Sequence, residues 1–380
     1  MNTAAVDKRL EIAEVLQRTQ NPFEGVHVVT GFDGFVDEMI TLVDQRHNIQ
    51  NFDPVETISK FGSMITQAAG QSSLREIVIT SCDAGGCSVN MGDGLASLDV
   101  TTHTFATVGV PMHAAFSDYA KKAELISWGN DPGRTLAFEF ADGKLMFSSV
   151  SPLADFTPAH IETCLLDGIF KARCEIAQVI ALTDWTLYPH MTACWEFLQE
   201  RIFSQLKHRP EFFIDLVDPS SRCEKDIVEM LNVLPKFEAW GDAHLGLNQN
   251  EANIIGRLSG LKCPSHAGIE SAAEQASALQ TCLGLNTVVI HGRSYAVSAG
   301  PEGVNATSGP LCAKPLKSTG AGDRFNAGYA AARLLGLDAK GVLLLACATS
   351  GLYVRLGRSP SRNELADFLV RWEKIQDNEF

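Results

Sequence analysis

Short apolar runs that do not alternate with polar residues recur along the chain. Runs of this kind, rich in β-branched residues, are typical of strands that are covered on both faces of a sheet. The segments between them repeat apolar residues at helical spacing, and this alternation predicts a parallel sheet with right-handed crossovers. The predicted strands include residues 26–30, 77–80, 179–182, 212–217 and 287–291, and the predicted helices cover about 156–171, 189–208, 223–234, 249–260 and 268–283.

A single α/β domain at residues 26–372 fits this pattern, because no repeat, low-complexity stretch or linker divides the chain. Residues 1–25 are predicted to form an amphipathic helical extension, with Leu10 and Leu16 on its apolar side. Residues 373–380 are assigned to a C-terminal tail. The sequence therefore predicts one large domain with short additions at its two ends.

Residues 101–150 depart from this pattern, because polar and apolar positions alternate there. Segments 135–140 and 144–150 flank the dipeptide Asp142-Gly143, and Asp-Gly between two such segments is a strong β-hairpin signal. An antiparallel hairpin inserted in a parallel α/β domain is either a small lid or dimerisation flap, or a plain extension of the sheet edge. The sequence leaves both open.

Composition and charge narrow the range of partners. The 380 residues carry 31 Lys and Arg against 45 Asp and Glu, a formal net charge of −14. This balance argues against nucleic acid and against an anionic membrane surface, because both attract cationic proteins. No uninterrupted apolar run approaches the ~20 residues of a membrane span. The ten cysteines include no CxxC pair, and we expect free thiols in a reducing cytoplasm.

The strongest chemical signal is a Gly-rich turn at residues 318–328, which leads into a helical pattern. Such a turn directs several backbone N–H groups to one point, and the helix dipole adds positive potential there, so the segment predicts an anion site. Asp323 is unexpected at this position, because a carboxylate repels a bound phosphate. It either caps the helix or acts as a general base that takes a proton from an attacking hydroxyl.

The run Thr319-Gly320-Ala321-Gly322-Asp323 resembles the C-terminal signature of the ribokinase-like (PfkB) family of carbohydrate and nucleoside kinases. The resemblance implies that the Gly-Ala-Gly turn is the anion hole, that Asp323 is the catalytic base and that Thr319 belongs to the nucleotide site.

The other family motifs follow in the expected order. Gly85 and Gly86, with Asn90 on the next helix, resemble the N-terminal signature, in which the glycines let the sugar approach the backbone and the Asn binds its hydroxyls. The segment after the first strand resembles the part whose Asp holds the substrate. Asp37 fits that role better because an apolar residue precedes it, and Asp33 stays open as the alternative.

The nucleotide side resembles the family as well. Asn248 and Glu251 fit an Asn-x-x-Glu motif that organises magnesium, mostly through water, because Mg²⁺ gives up its hydration shell reluctantly. Gly292 follows a strand that leads to the nucleotide pocket, and Cys347 lies in a small-residue stretch beside the adenine. The resemblance therefore implies ATP and Mg²⁺ as cofactors.

The resemblance covers residues 26–372 and implies a three-layer α/β/α fold with a mainly parallel central sheet and a small β lid, built from about 31–42 and 101–150. Two residues that flank the C-terminal signature depart from the family pattern. Ser318 replaces a residue that is usually acidic, which puts activation by a monovalent cation in doubt. Arg324 replaces a residue that is usually small, and it either contacts a phosphate or acidic substrate or faces solvent.

Together these observations predict a cytoplasmic carbohydrate kinase that transfers a phosphoryl group from ATP to a hydroxyl of a sugar-like molecule. A homodimer through the lid is a further expectation. The alternatives are a nucleoside or vitamin kinase of the same fold and a non-catalytic sugar- or nucleotide-binding regulator. The intact Gly-Ala-Gly-Asp run argues against the regulator, and without a GxxxxGK[ST] motif a P-loop NTPase is not predicted.

Overall fold

The computed structural model describes residues 3–262, 268–372 and 375. Within these ranges the strands are β1 (His27–Phe32), β2 (Phe35–Arg46), β3 (Phe52–Pro54), β4 (Ile77–Gly85), β5 (Thr101–Ala106), β6 (Glu124–Ser127), β7 (Gly133–Phe140), β8 (Gly143–Ser149), β9 (Val179–Thr183), β10 (Glu211–Asp215), β11 (Asp242–Asn248), β12 (Thr287–His291), β13 (Tyr295–Gly300) and β14 (Gly303–Ser308). The α-helices are α1 (Thr3–Leu16), α2 (Ile58–Gln67), α3 (Cys87–Ser97), α4 (Pro158–Cys164), α5 (Ile169–Cys174), α6 (Met191–Arg201), α7 (Glu224–Val233), α8 (Gln249–Leu258), α9 (Ile269–Leu283), α10 (Ala321–Leu334), α11 (Ala339–Leu356) and α12 (Arg362–Arg371).

The central sheet has the order β14-β13-β12-β11-β10-β9-β1-β5-β6. The strands from β12 to β6 in this order are parallel, and β13 and β14 form an antiparallel edge. Phe212 and Ile214 of β10 enter one apolar core, whereas Phe213 enters the other on the opposite face. The sheet is therefore the middle of three layers, as predicted, because strands covered on both faces require apolar residues throughout.

A crevice is expected where the strand order reverses. Strand β1 lies between β9 and β5, so the chain crosses first to one side of β1 and then to the other. Ligands of open α/β sheets bind at such a switch point, beyond the carboxyl ends of the strands. Asp33 and Asp184 follow β1 and β9, and Asp215 ends β10. The fold thus brings acidic residues from three distant segments to one edge of the sheet.

A smaller sheet forms the lid, in the order β3-β2-β7-β8 with β4 paired to β2. The predicted hairpin is confirmed as β7 and β8. Asp37 and Thr135 are paired on one face of this sheet. Helix α2 covers the other face, where the Phe61 ring stacks on Phe138 and Phe140 with centroid distances of 6.1 and 5.8 Å. The lid therefore has a small apolar core of its own.

Two sequence predictions about the lid are wrong. Residues 101–127 are predicted for the lid but supply β5 and β6 to the central sheet. Residues 77–80 are predicted as a covered strand but belong to β4 of the lid, where Ile77 and Ile79 are about half exposed. A short apolar run has the same pattern in either sheet, and its pairing depends on partners that are distant in sequence.

The N-terminal helix is confirmed as α1, and it packs against α11 and α12. Ile12 and Leu16 are fully buried there. Leu10, predicted on the apolar side, is instead exposed, because α11 and α12 contact a face of α1 that is rotated from the predicted one. The predicted tail at 373–380 lies outside the described residues, apart from residue 375.

Among the helices in the described ranges, α11 is long and apolar enough to cross a membrane by length and composition. In the structure 67% of it is buried, and it packs against α1, α10 and α12. Buried helices of globular cores share this composition, so α11 is a core helix of the domain.

Candidate functional site

The Gly-rich turn forms the N-terminus of α10, as the sequence predicts. Gly320 is the N-cap residue with a φ of +80°, a left-handed conformation that glycine adopts without strain. Tyr353 Oη donates a hydrogen bond to the Thr319 carbonyl at 2.5 Å, and Ser350 Oγ donates to the Ala321 carbonyl at 2.8 Å. Helix α11 therefore fixes the turn, and the N-terminus of α10 offers backbone N–H groups to an anion.

Asp323 lies in the first turn of α10 and is 8% exposed. Its carboxylate accepts a hydrogen bond from Asn90 Nδ2 of α3 at 2.9 Å. Burial raises the pKa of Asp323 to about 7, the Arg324 charge opposes this rise, and the Asp215 and Asp33 carboxylates add to it. A carboxylate that titrates near neutrality and contacts the predicted sugar-binding Asn is suited to act as a general base.

This titration leads to a prediction about pH dependence. Only the ionised form of Asp323 can accept a proton, so activity should fall as the pH decreases through about 7. We expect kcat/KM for the sugar to lose about tenfold per pH unit below that value and to be flat above it, since one proton is bound. The measurement is a pH–rate profile with thermal melting at each pH as the control for folding. A flat profile between pH 5.5 and 7 would contradict the prediction.

Gly85 and Gly86 end β4 and precede α3, close to two carboxylates. A Cβ atom at Gly85 would overlap the Asp37 carboxylate, and one at Gly86 would lie 2.7 Å from the Asp33 carbonyl oxygen. Gly86 also has a φ of +98°. The absence of a side chain therefore lets the backbone at Gly85 approach the Asp37 carboxylate, and the backbone at Gly86 approach the Asp33 carbonyl group. A larger residue at either position would clash.

Asp33 and Asp37, the two candidates for binding the substrate, have different environments. Asp33 is 1% exposed, and its carboxylate accepts hydrogen bonds from the backbone N–H groups of Cys87 and Ser88, the latter at 2.7 Å. Thr183 Oγ1 also donates to it at 3.1 Å. Asp33 is therefore bound to the N-terminus of α3, where a carboxylate satisfies unpaired N–H groups.

Asp37 lies on β2 of the lid, between Asp83 of β4 and Thr135 of β7. Burial raises the pKa of Asp37, whereas the hydrogen bond with Thr135 and the charge of Lys317 lower it. Its carboxylate lies directly against Gly85. Of the two candidates, Asp37 is the one that the lid brings to the glycine pair.

Two lysines, which no sequence motif marks, also approach this region. Lys144 of β8 donates from Nζ to Thr319 Oγ1 at 2.7 Å, and it forms an ion pair with Glu139 at 3.0 Å. Lys317 Nζ lies 3.6 Å from an Asp83 carboxylate oxygen. The hairpin thus contacts the turn through Lys144. Thr319, expected in the nucleotide site, lies where the lid meets that turn.

A cleft of about 860 Å³ opens beside the turn. The predicted residues Asn248, Gly292 and Cys347 line it, together with Ala321 and Gly322. Residues of its wall that no motif marks include Tyr295, Pro310, Leu311 and Val354, and His291 and Phe325 of the predicted segments 287–291 and 318–328 also line it. A mainly apolar wall beside an anion site is a suitable environment for a nucleotide, whose base is apolar and whose phosphates are charged.

His291 contributes a flat, neutral surface to this cleft. Its ring stacks on Phe325 with centroids 4.6 Å apart. Burial lowers the pKa of His291 to about 4, so the imidazole is uncharged at pH 7. It therefore adds aromatic surface to the cleft rather than positive charge.

Asn248 and Glu251 are adjacent, as predicted, but they mainly bind each other. Asn248 is the N-cap of α8 and accepts from the Glu251 backbone N–H at 3.0 Å, while Glu251 accepts from the Asn248 backbone N–H at 2.7 Å. Burial raises the pKa of Glu251 to about 8. Among the described residues no group of three or more His, Cys, Asp or Glu side chains is placed to hold a metal ion. This arrangement fits hydrated magnesium, bound through water, better than direct coordination.

The family model described as prokaryotic ketohexokinase matches residues 6–372. The chain belongs to the prokaryotic ketohexokinase family. A curated relative named ketohexokinase, from Haloferax volcanii, is 25% identical over 350 residues and covers 91% of each chain. The match begins within α1.

Solved structures confirm the fold of this family member. A carbohydrate kinase from Agrobacterium tumefaciens aligns with a TM-score of 0.60 and 16% identity, covering 90% of this chain and 97% of the other. Ribokinase from Thermotoga maritima aligns with a TM-score of 0.58 and 16% identity, covering 90% and 98%. The resemblance to ribokinase-like kinases is confirmed, and the chain is a carbohydrate kinase.

Proposed function

We propose that this carbohydrate kinase transfers the γ-phosphoryl group of ATP to a hydroxyl of a ketohexose, with Asp323 as the general base. The match to the prokaryotic ketohexokinase family supports the substrate class. The observation that carries the mechanism is the Asn90–Asp323 hydrogen bond of 2.9 Å, which joins the sugar-binding helix α3 to the helix of the anion turn. One base is thereby within reach of both substrates.

The sugar lies between the glycine pair and the lid in this proposal. Gly85 and Gly86 leave room for it beside the backbone. Asp37 accepts hydrogen bonds from the sugar hydroxyls, and the Asn90 amide accepts from or donates to them. Asp33 keeps α3 in place by capping its N-terminus. We therefore assign the direct contact to Asp37 and the supporting role to Asp33.

The phosphates occupy the turn at the head of α10. As the sugar oxygen attacks the γ-phosphorus, Asp323 accepts the hydroxyl proton, and the bond to the β,γ-bridging oxygen breaks to release ADP. The N–H groups of Gly320, Ala321 and Gly322 stabilise the charge on the transferring group. Lys144 closes the lid onto Thr319 and excludes water, which suppresses wasteful hydrolysis of ATP.

The test is a coupled ADP-release assay with ATP, Mg²⁺ and a panel of acceptors: ketohexoses, aldohexoses, pentoses, keto-deoxy acids, nucleosides and vitamins. We expect the highest kcat/KM with a ketohexose. A preference for a nucleoside or a vitamin would show that the proposed substrate class is wrong, while the assignment as a kinase would stand. The absence of ADP release with every acceptor would instead favour the non-catalytic regulator, because such a protein would bind its ligands without turnover.

Magnesium supplies charge neutralisation at the phosphates, and Asn248 and Glu251 would hold its water shell. At pH 9, above the pKa of about 8 that burial gives Glu251, its side chain is a carboxylate. We predict that at this pH Glu251→Gln raises the magnesium concentration needed for half-maximal activity severalfold, because a neutral amide binds the hydrated cation less well than a carboxylate. The measurement is a magnesium titration at fixed ATP. The matched control is Glu364→Gln, since Glu364 closes the same kind of capping box with Ser361 on α12. An unchanged titration in Glu251→Gln would contradict the role.

The homodimer through the lid stays a prediction. Helix α2 covers one face of the lid sheet, so a second copy would contact the half-exposed Ile77, Ile79 and Phe147 beyond the helix. Sedimentation equilibrium at micromolar concentration tests it. The expected absence of nucleic-acid and membrane partners and the cytoplasmic location also stay predictions.

A further inference from the structure

Arg324, directly after the proposed base, is 7% exposed rather than facing solvent. Its Nε donates a hydrogen bond to Ser359 Oγ at 3.0 Å, and its Nη2 donates to Asp93 Oδ2 at 3.2 Å. The guanidinium carbon lies 4.6 Å from the centroid of the Tyr353 ring, a cation–π contact. A buried guanidinium with three specific contacts is fixed in one geometry.

Two of the three partners of Arg324, Asp93 and Tyr353, belong to helices that form the site. Asp93 lies three residues after Asn90 on α3, so the two share a face of that helix. Tyr353 is the residue whose hydroxyl group binds the Thr319 carbonyl. Arg324 therefore joins the helix of the base, the helix of the sugar-binding Asn and the helix that fixes the anion turn.

One donor of Arg324 has no partner. Among the described residues, Nη1 is buried without a hydrogen bond. A Cβ atom at Gly320 would lie 2.8 Å from it and 3.4 Å from Asn90 Nδ2. An unsatisfied charged donor is costly to bury, so Nη1 does not stabilise the fold where it lies, beside Gly320 and Asn90.

The charge of Arg324 also opposes a group of acidic residues. Arg324 is the cation with the largest effect on Asp323. Asp93, the ion-pair partner of Arg324, also forms an ion pair with Lys122 at 2.9 Å. Its negative charge is therefore shared between two cations and does not fully neutralise Arg324. The other titratable groups that face Asp323 are Asp33 after β1, Asp184 after β9, Asp215 of β10, Cys87 of α3, Glu251 of α8 and Tyr353 of α11.

We propose that Arg324 is a positioning residue of the phosphoryl transfer, which holds α3 against α10 so that Asn90 aims Asp323 at the acceptor hydroxyl, and which supplies the positive charge beside this carboxylate. The proposal rests on the proposed role of Asp323 as the base. Arg324 touches neither substrate in this arrangement, so its effect is transmitted through Asn90 and Asp323.

The experiment is a pH profile of kcat and KM for Arg324→Gln and Arg324→Lys. In Arg324→Gln the acidic limb should move up by about one pH unit, because the neighbouring cation that favours the ionised base is lost. Activity should then recover as the pH rises from 7 to 9. In Arg324→Lys the charge remains, so the limb should stay in place while kcat falls at every pH. KM for ATP should change little in both variants.

The controls separate this role from a merely structural one. Arg333→Gln removes another half-buried, ion-paired arginine of α10, bound to Glu211 at 2.7 Å, and should leave the limb unmoved. Ser359→Ala removes the acceptor of Arg324 Nε and the hydroxyl that donates to Asp93 at 2.6 Å, but it keeps the Arg324 charge. It should therefore lower kcat without moving the acidic limb, and it tests the proposal even if Arg324→Gln does not fold. Equal losses in the Gln and Lys variants with an unmoved limb would overturn the proposal, as would a normal kcat in Ser359→Ala and Arg324→Lys. An active Asp323→Asn variant would instead refute the proposed base itself.

Discussion

Asp323→Asn is expected to lower kcat by at least ~10²-fold, the usual scale for the loss of a positioned base. The amide has the same shape as the carboxylate and can still accept the hydrogen bond from Asn90 Nδ2. It cannot take a proton from the sugar hydroxyl. The variant should therefore retain its geometry and lose only the proton-transfer step, which coupled ADP release measures directly.

The same substitution should leave the stability of the protein intact. Burial raises the pKa of Asp323 to about 7, so the fold disfavours its charged form, and above that pH a neutral side chain removes the penalty. We expect an unchanged or higher Tm at pH 8 and unchanged ATP affinity by calorimetry. The matched control is Asp338→Asn, the same change at the N-cap of α11. Near-normal turnover in Asp323→Asn would remove Asp323 from its role.

Gly322→Ala is expected to lower kcat/KM for ATP by about 10²-fold while making the enzyme more stable. Gly322 lies in the first turn of α10 without a positive φ, and an added Cβ would be 3.6 Å from His291 Cε1, an ordinary contact. Alanine in a helix is favoured over glycine by up to about 1 kcal/mol. The fold therefore has no need of glycine here, and a small increase in Tm should follow.

The added methyl group would instead project into the nucleotide cleft, which Gly322 and His291 line together. A phosphoryl group displaced by about 1 Å loses alignment with the attacking oxygen, which costs about 10²-fold in rate. We expect kcat/KM for ATP to fall by that order, while Gly62→Ala on α2, where a Cβ meets open space, should leave it unchanged. Wild-type kcat/KM for ATP in Gly322→Ala would show that the phosphate does not approach this backbone.

The sequence alone predicted four strands of the central sheet, the lid hairpin and the Gly-rich turn before α10. The runs at β1, β9, β10 and β12 predict their own strands, because burial on both faces is visible as uninterrupted apolar residues. The hairpin of β7 and β8 is predicted for a similar reason, since Asp142-Gly143 fixes its turn locally. The anion turn is equally local, because a small Gly-rich segment before a helix is enough to expose N–H groups.

Other assignments needed partners that are distant in the chain. Strand β4 matches a covered strand in sequence, but its pairing with β2 places it in the lid. Asp33 and Asp37 are four residues apart and chemically identical, yet only Asp33 meets the N–H groups of Cys87 and Ser88. No pattern within either segment contains that information.

Two charged side chains show most clearly that contacts depend on residues distant in the sequence. No motif in the sequence distinguishes Lys144 from other residues of the hairpin. In the folded chain the lid places it against Thr319, which is 175 positions away. The sequence alone is compatible with Arg324 contacting a phosphate or facing solvent, and the structure instead buries it against Asp93, which is 231 positions away. Periodicity and turn conformation are properties of neighbouring residues, so the sequence by itself determined β1, β9, β10 and β12, the lid hairpin and the Gly-rich turn. Burial, pKa and hydrogen-bond partners depend on what the folded chain brings together, and only the tertiary structure decided those.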